Sequence, residues 1–162
     1  MKLKHWLTIG ALIILDLATK QWITLTYDYN VEYSLINGLV YILNIHNTGA
    51  AWSILEGGMP FFVVSGAVVS AAILYILYKK VYITDSVSRW GLVIILAGTW
   101  GNLYDRIALG YVRDFMGVFI GSYAFPIFNV ADSCITIGVA LIIIRVLFEK
   151  EVKHDKAVES KS

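Results

Sequence analysis

The sequence predicts a small, mainly α-helical membrane protein: four transmembrane helices, with a small extracytoplasmic β-sheet between helices one and two. Three observations lead there. The 162 residues are 58% hydrophobic and 15% charged, with a mean hydropathy of +0.70, more apolar than a soluble domain of this size carries. Four stretches reach the roughly 20 helical residues that a hydrocarbon core of about 30 Å demands. Between the first two, residues 28–60 contain no Lys or Arg, while basic residues gather at the opposite ends of the spans.

The first span, about 6–27, is interrupted by Asp16 and Lys20. Lys2 and Lys4 ahead of an apolar run resemble a signal-peptide start. The run is long, however, holds an acid and a base, and lacks a small-x-small cleavage site after it, so it reads as an uncleaved helix. The outer β segment follows, at about 28–58. Val31 to Asn47 is rich in Tyr, Ile, Val and Leu, and Asn37-Gly38 marks a two-residue hairpin. Tyr33, Tyr41 and Trp52 fit the headgroup zone.

The second span, about 59–78, carries no charge. The third, about 90–109, turns polar at Asn102, Asp105 and Arg106. The fourth, about 129–148, has Asp132 in its first turn and leads into a polar tail, 149–162, expected to be disordered. Lys2 and Lys4, then Lys79, Lys80 and Arg89, then Arg145, Lys150 and Lys153 all fall on one side. Both termini are therefore expected in the cytoplasm, with the connections at about 28–58 and 107–128 facing outward. No internal repeat is evident, and residues 1–162 read as one integral membrane domain.

Composition narrows the chemistry. A net charge of +1 with no basic stripe argues against a nucleic-acid partner. Cys134 is the single cysteine, which rules out an intrachain disulfide and any multi-cysteine metal site. A thiol–imidazole pair with His46 is conceivable, but Cys134 points about 200° round the helix from Asp132 and reads as a small buried hydrophobe.

The informative residues are acids at the edges of apolar runs, where a carboxylate costs roughly 2.5–3.5 kcal/mol on insertion scales. Asp114, in Val112-Arg113-Asp114-Phe115, and Asp132, in Asn129-Val130-Ala131-Asp132, approach one membrane face from different segments. Such a pair is enough for peptide hydrolysis without a metal. Capping also accounts for part of it, since Asn129 and Asp132 stand as N-cap and N3 of a helix. Asp16, Thr19 and Lys20 share a helix face at i, i+3 and i+4, as a buried ion pair or as groups orienting the site. Asn47-Thr48-Gly49-Ala50-Ala51-Trp52 reads either as a turn or as small residues admitting a substrate chain. Asn102, Asp105 and Arg106 share another face. There an Asp–Arg pair can be structural, while Asn102 and Arg106 are candidates for binding a carbonyl or fixing a carboxylate.

Together these boxes resemble the bacterial lipoprotein signal peptidase (signal peptidase II) family over nearly the whole chain. They run Asp16-x-x-Thr19-Lys20, Asn47-x-Gly49-Ala50-Ala51, Gly101-Asn102-x-x-Asp105-Arg106, Val112-x-Asp114-Phe115 and Phe125-Pro126-x-Phe128-Asn129-x-Ala131-Asp132-Ser133. Each is weak alone, but five in order on four spans are specific. The resemblance implies a membrane aspartic endopeptidase of the bacterial cytoplasmic membrane. It would cut prolipoproteins before a diacylglyceryl-modified cysteine, at the extracytoplasmic face, and be sensitive to globomycin-type inhibitors. It implies Asp114 and Asp132 as the catalytic dyad, supported by Asp16, Lys20, Asn47, Gly49, Asn102, Arg106 and Asn129, with membrane lipids as partners and no cofactor or metal. Trp52 stands where the family more often has Phe, and Ala97 where a second glycine is common.

Two rival readings are a lipid phosphotransferase holding Mg²⁺ through Asp105, Asp114 and Asp132, and a small ion-coupled carrier relaying through Asp16 and Asp132. The first requires the three acids to cluster, the second acids near the midplane and repeat symmetry.

Overall fold

The computed structural model describes residues 1–36, 38–49, 57–79, 85–121 and 123–159, with side chains as far as Phe148. Asn37, Ala50, Ala51, Trp52 and Lys80 lie outside the described residues. In order, the elements are α1 (Leu3–Thr26), β1 (Glu32–Ile36), β2 (Val40–Asn47), α2 (Met59–Lys79), α3 (Ser86–Leu109), β3 (Val112–Ile120), β4 (Tyr123–Ala124) and α4 (Val130–Glu159).

By length and composition, α1, α2 and Val130–Phe148 of α4 can cross a membrane. Helix α3 is more polar than these because it is the hub, packed against α1, α2 and α4. A helix ringed by protein does not need the lipid-facing apolarity of its neighbours. Ile9 of α1, Ile73 and Leu77 of α2, and Leu92, Val93, Leu96 and Ala97 of α3 form its main core. Against α4 the approach is closer still. A β-carbon on Gly101 would lie 3.3 Å from Ala131 Cβ and 2.5 Å from Asp16 Oδ2, so only glycine lets three helices meet there.

The ends of α3 have clear local causes. Asp85 caps its start by accepting the Ser88 N–H at 2.8 Å. Its end is turned by Gly110, whose left-handed φ of 80° disfavours a residue with a β-carbon. That turn starts β3 two residues later.

The four strands form one antiparallel sheet in the order β1-β2-β3-β4. This enlarges the sheet expected between helices one and two, because half of its strands come from the connection between α3 and α4. Val112, Phe115, Val118, Phe119 and Ile120 are strand-forming residues, so the strand was there to be read in the sequence. The hairpin also differs from the expected two-residue turn. Ile36 pairs with Val40, leaving three positions between, with Gly38 at φ 70°. Tyr41 is buried, not displayed to headgroups: its ring lies over Gly117 and packs against Phe119 at 4.9 Å. Ile23 at the end of α1 packs with Ile42 and Phe115, seating the sheet on the helices.

Helix α4 continues to Glu159, through much of the tail expected to be disordered. Glu and Lys in that stretch are good helix formers, and the preceding turns supply the nucleus.

Candidate active site

Asp114 sits on β3, opposite Ile45 of β2, and is 2% exposed. Both its oxygens accept from side-chain amides: Oδ2 from Asn47 Nδ2 at 2.8 Å, and Oδ1 from Asn129 Nδ2 at 2.6 Å. Burial pushes its carboxyl up to about 7, and the neighbouring negative charge of Asp132 pushes the same way.

Asp132 is half-buried in the first turn of α4. It forms the expected capping box with Asn129. The Asp132 N–H donates to Asn129 Oδ1 at 3.0 Å, and the Asn129 N–H donates to Asp132 Oδ2 at 3.1 Å. The other carboxylate oxygen accepts from Asn102 Nδ2 at 2.7 Å. Asn102 is itself fixed, because its Oδ1 accepts from Lys20 Nζ at 3.0 Å and from Asn129 Nδ2 at 3.1 Å. Those donors leave its amide one orientation, nitrogen toward Asp132.

Lys20 is fully buried and bonded to Asp16 Oδ2 at 2.8 Å, with Asp105 Oδ2 at 3.4 Å. Asp16 Oδ1 in turn accepts the Ala131 N–H at 2.9 Å, satisfying an otherwise unpaired donor in the first turn of α4. The i, i+4 pair is therefore both an ion pair and a tether for the helix that carries Asp132. Thr19 takes no part: its hydroxyl donates to the backbone oxygens of Leu15 and Asp16.

A cavity of about 760 Å³ opens beside these groups. Asn47, Gly49, Asn102, Arg106, Asp114 and Asp132 border it on the polar side, and Phe125, Pro126, Phe128, Ile135 and Ile137 supply apolar wall. Gly49 shapes the rim through its backbone. Its N–H donates to Asn47 Oδ1 at 2.9 Å and its carbonyl accepts from Arg106 Nη2 at 3.4 Å. The Arg106 guanidinium lies over Phe62 at 4.9 Å.

The structure thus brings together Asp114, Asp132, Asn47, Gly49, Asn102, Arg106 and Asn129, with Asp16 and Lys20 behind them. It does not pair Asp105 with Arg106. Asp105 is committed instead to Arg113, at 2.7 Å, and to Lys20. This also separates it from the cavity that Asp114 and Asp132 border, and among the described residues no three acids, histidines or cysteines are grouped to hold a metal. His46 faces elsewhere, stacked on Tyr111 at 3.8 Å, and Cys134 is buried. Sequence reasoning passed over Arg113 and Gln21. The available signal was a basic residue beside Asp114 in an otherwise apolar strand.

The family described as signal peptidase (SPase) II matches residues 8–148. A lipoprotein signal peptidase of Lactiplantibacillus plantarum is 40% identical over 149 residues, spanning 86% of this chain and 94% of that protein. One from Geobacillus kaustophilus is 36% identical, over 89% of this chain and 92% of its own length. A solved bacterial membrane enzyme, determined in meso at 2.3 Å, superposes with a TM-score of 0.85 and 35% identity, covering 93% of this chain and 91% of that one.

Proposed function

This chain belongs to the signal peptidase II family, and we propose that it removes signal peptides from diacylglyceryl-modified prolipoproteins with Asp114 and Asp132 as the reacting pair. The observation that carries this reading is the set of three amides, from Asn47, Asn102 and Asn129, that aims both carboxylates at one cavity. Donors on both carboxylates hold them in place before substrate arrives, which is the preorganisation that hydrolysis needs.

Asp114, buried and beside a second acid, holds the shared proton. Asp132, at the positive end of α4, carries the negative charge. Asp132 takes a proton from a water while the water oxygen attacks the scissile carbonyl, and Asp114 gives its proton to the carbonyl oxygen. The tetrahedral diol then collapses. Asp114 recovers its proton, and Asp132 passes its own to the departing amine. The reaction consumes one water and leaves the enzyme unchanged, with no cofactor in the cycle.

In this reading α3 is the fourth membrane span and the chain is a single domain. Both termini lie in the cytoplasm, and the sheet and cavity lie at the extracytoplasmic face. The charge pattern of the connections supports that orientation. The apolar wall of the cavity suits a lipid-bearing substrate, since each buried CH₂ contributes about 0.8 kcal/mol. Surrounding lipid supplies the rest of the site's environment, and a globomycin-type cyclic peptide would compete for the same cavity.

The deciding experiment compares cleavage of unmodified and diacylglyceryl-modified prolipoprotein by purified enzyme in one bilayer, with and without EDTA. The modified form should be cut orders of magnitude faster, at a rate indifferent to EDTA. Equal rates would remove lipid from the recognition, and chelator-sensitive turnover restored by Mg²⁺ would remove the metal-free dyad.

A further inference from the structure

We propose that Arg113 is a positioning residue for this reaction: through Asp105 it fixes strand β3, and with it Asp114, against the helices that carry Asp132. The inference rests on the reading of Asp114 and Asp132 as the reacting pair.

Arg113 precedes Asp114 on a strand, where successive side chains point to opposite faces, so it cannot reach the cavity that Asp114 borders. It is nevertheless buried, at 7% exposure, and holds four hydrogen bonds. Its Nη2 donates to Asp105 Oδ1 at 2.7 Å and its Nε to Asp105 Oδ2 at 3.2 Å, a two-pronged fork. The Arg113 backbone N–H donates to the same Oδ2 at 3.1 Å, and Nη1 donates to Gln21 Oε1 at 3.1 Å. One residue thereby ties β3 to α3 and to α1.

The strand needs such an anchor at this point. The β2–β3 pairing runs Ile42 to Met116 and Ile45 to Asp114, with a register shift between them. The ladder is interrupted beside the reacting carboxylate, and an irregular ladder does not fix the height of a side chain. Asp105 also continues toward the other acid. It lies 3.4 Å from Lys20 Nζ, which donates to Asn102 Oδ1 at 3.0 Å, and Asn102 donates to Asp132 at 2.7 Å. Asp105 is thus the joint between two arms, one ending on Asp114 and the other on Asp132.

The test measures kcat and KM of R113Q and R113K on diacylglyceryl-modified prolipoprotein, per folded molecule, with thermal unfolding followed in parallel. R113Q leaves Asp105 paired with Lys20, so a folded protein is expected. Displacement of the reacting group by about 1 Å costs about 10²-fold, so kcat should fall on that order while KM is nearly unchanged. R113K, which offers a point charge in place of the fork, should recover only part of the loss. Wild-type kcat in R113Q, or a change confined to KM, overturns the proposal. If R113Q does not fold, R113K decides: full kcat overturns the proposal, and reduced kcat at constant KM supports it. D114N in the same preparation separates the two readings. If D114N is inactive and R113Q is normal, only the positioning role fails. If D114N turns over normally, the dyad fails and the role of Arg113 falls with it.

Discussion

Asn129 reaches Asp114 across 2.6 Å with one amide hydrogen, and the same side chain caps the helix that begins with Asp132. Its second amide hydrogen goes to Asn102, which holds the far oxygen of Asp132. One uncharged residue therefore determines both where α4 starts and how the strand-borne acid faces it. Because both its amide hydrogens and its amide oxygen are engaged, Asn129 cannot rotate without breaking a bond to one of the acids or to their shared amide.

Replacing either acid by its amide tests the dyad directly. Asp114→Asn and Asp132→Asn should each reduce cleavage by about 10²–10⁴-fold or more while leaving a folded protein, because an amide cannot exchange the proton. Quantified cleavage of modified prolipoprotein is the readout, and near-normal turnover in either variant removes that residue from the pair.

Asn129→Ala should separate the structural task from the catalytic one. Loss of the cap should lower stability by about 1 kcal/mol. Freeing Asp114 from its 2.6 Å donor should cost about 10²-fold in kcat. Thermal unfolding and single-turnover cleavage on the same sample give both values. A drop in stability with unchanged kcat would leave Asn129 as a cap alone.

The pH dependence follows from Asp114, whose carboxyl moves from an ordinary 3.8 to about 7 on folding. Between those values the folded chain binds a proton that the unfolded chain does not. The resulting stabilisation is complete below 3.8 and is lost as pH rises through about 7. The melting temperature of the wild type relative to Asp114→Asn should therefore decline from pH 4 to 8. Turnover, which needs that proton, should fall over the alkaline part of the range. A flat difference in melting temperature would contradict the shift.

Topology is open to labelling. Cysteines placed at Lys79 and at Gly121, in a Cys134→Ala background that should itself keep activity, should react with an impermeant reagent from opposite sides of the membrane. Labelling of both from one side would overturn the four-span orientation.

The membrane class, the approximate extents of the four helices and the polar residues around the cavity were legible in the chain, because apolar length and isolated polar residues are local signals. Asn129 and Asp132 could be read as a capping box from their spacing, and the structure has that box. The partners of Asp105 could not. Arg106 is its neighbour in sequence, yet Arg113 and Lys20 are its neighbours in space. That α3 packs against all three other helices, which accommodates its polar residues, was likewise visible only in the structure. The sequence by itself marked Asp16, Lys20, Asp105 and Asp114 as charges in or beside apolar runs, and all four are buried, whereas the burial of Arg113 emerged only with its partners. Which charge meets which, and the strand that presents Asp114 to the cavity, were decided only when β3 returned to the ends of α1 and α3. Ion pairing and carboxylate geometry depend on distances between segments, and no local pattern encodes those distances.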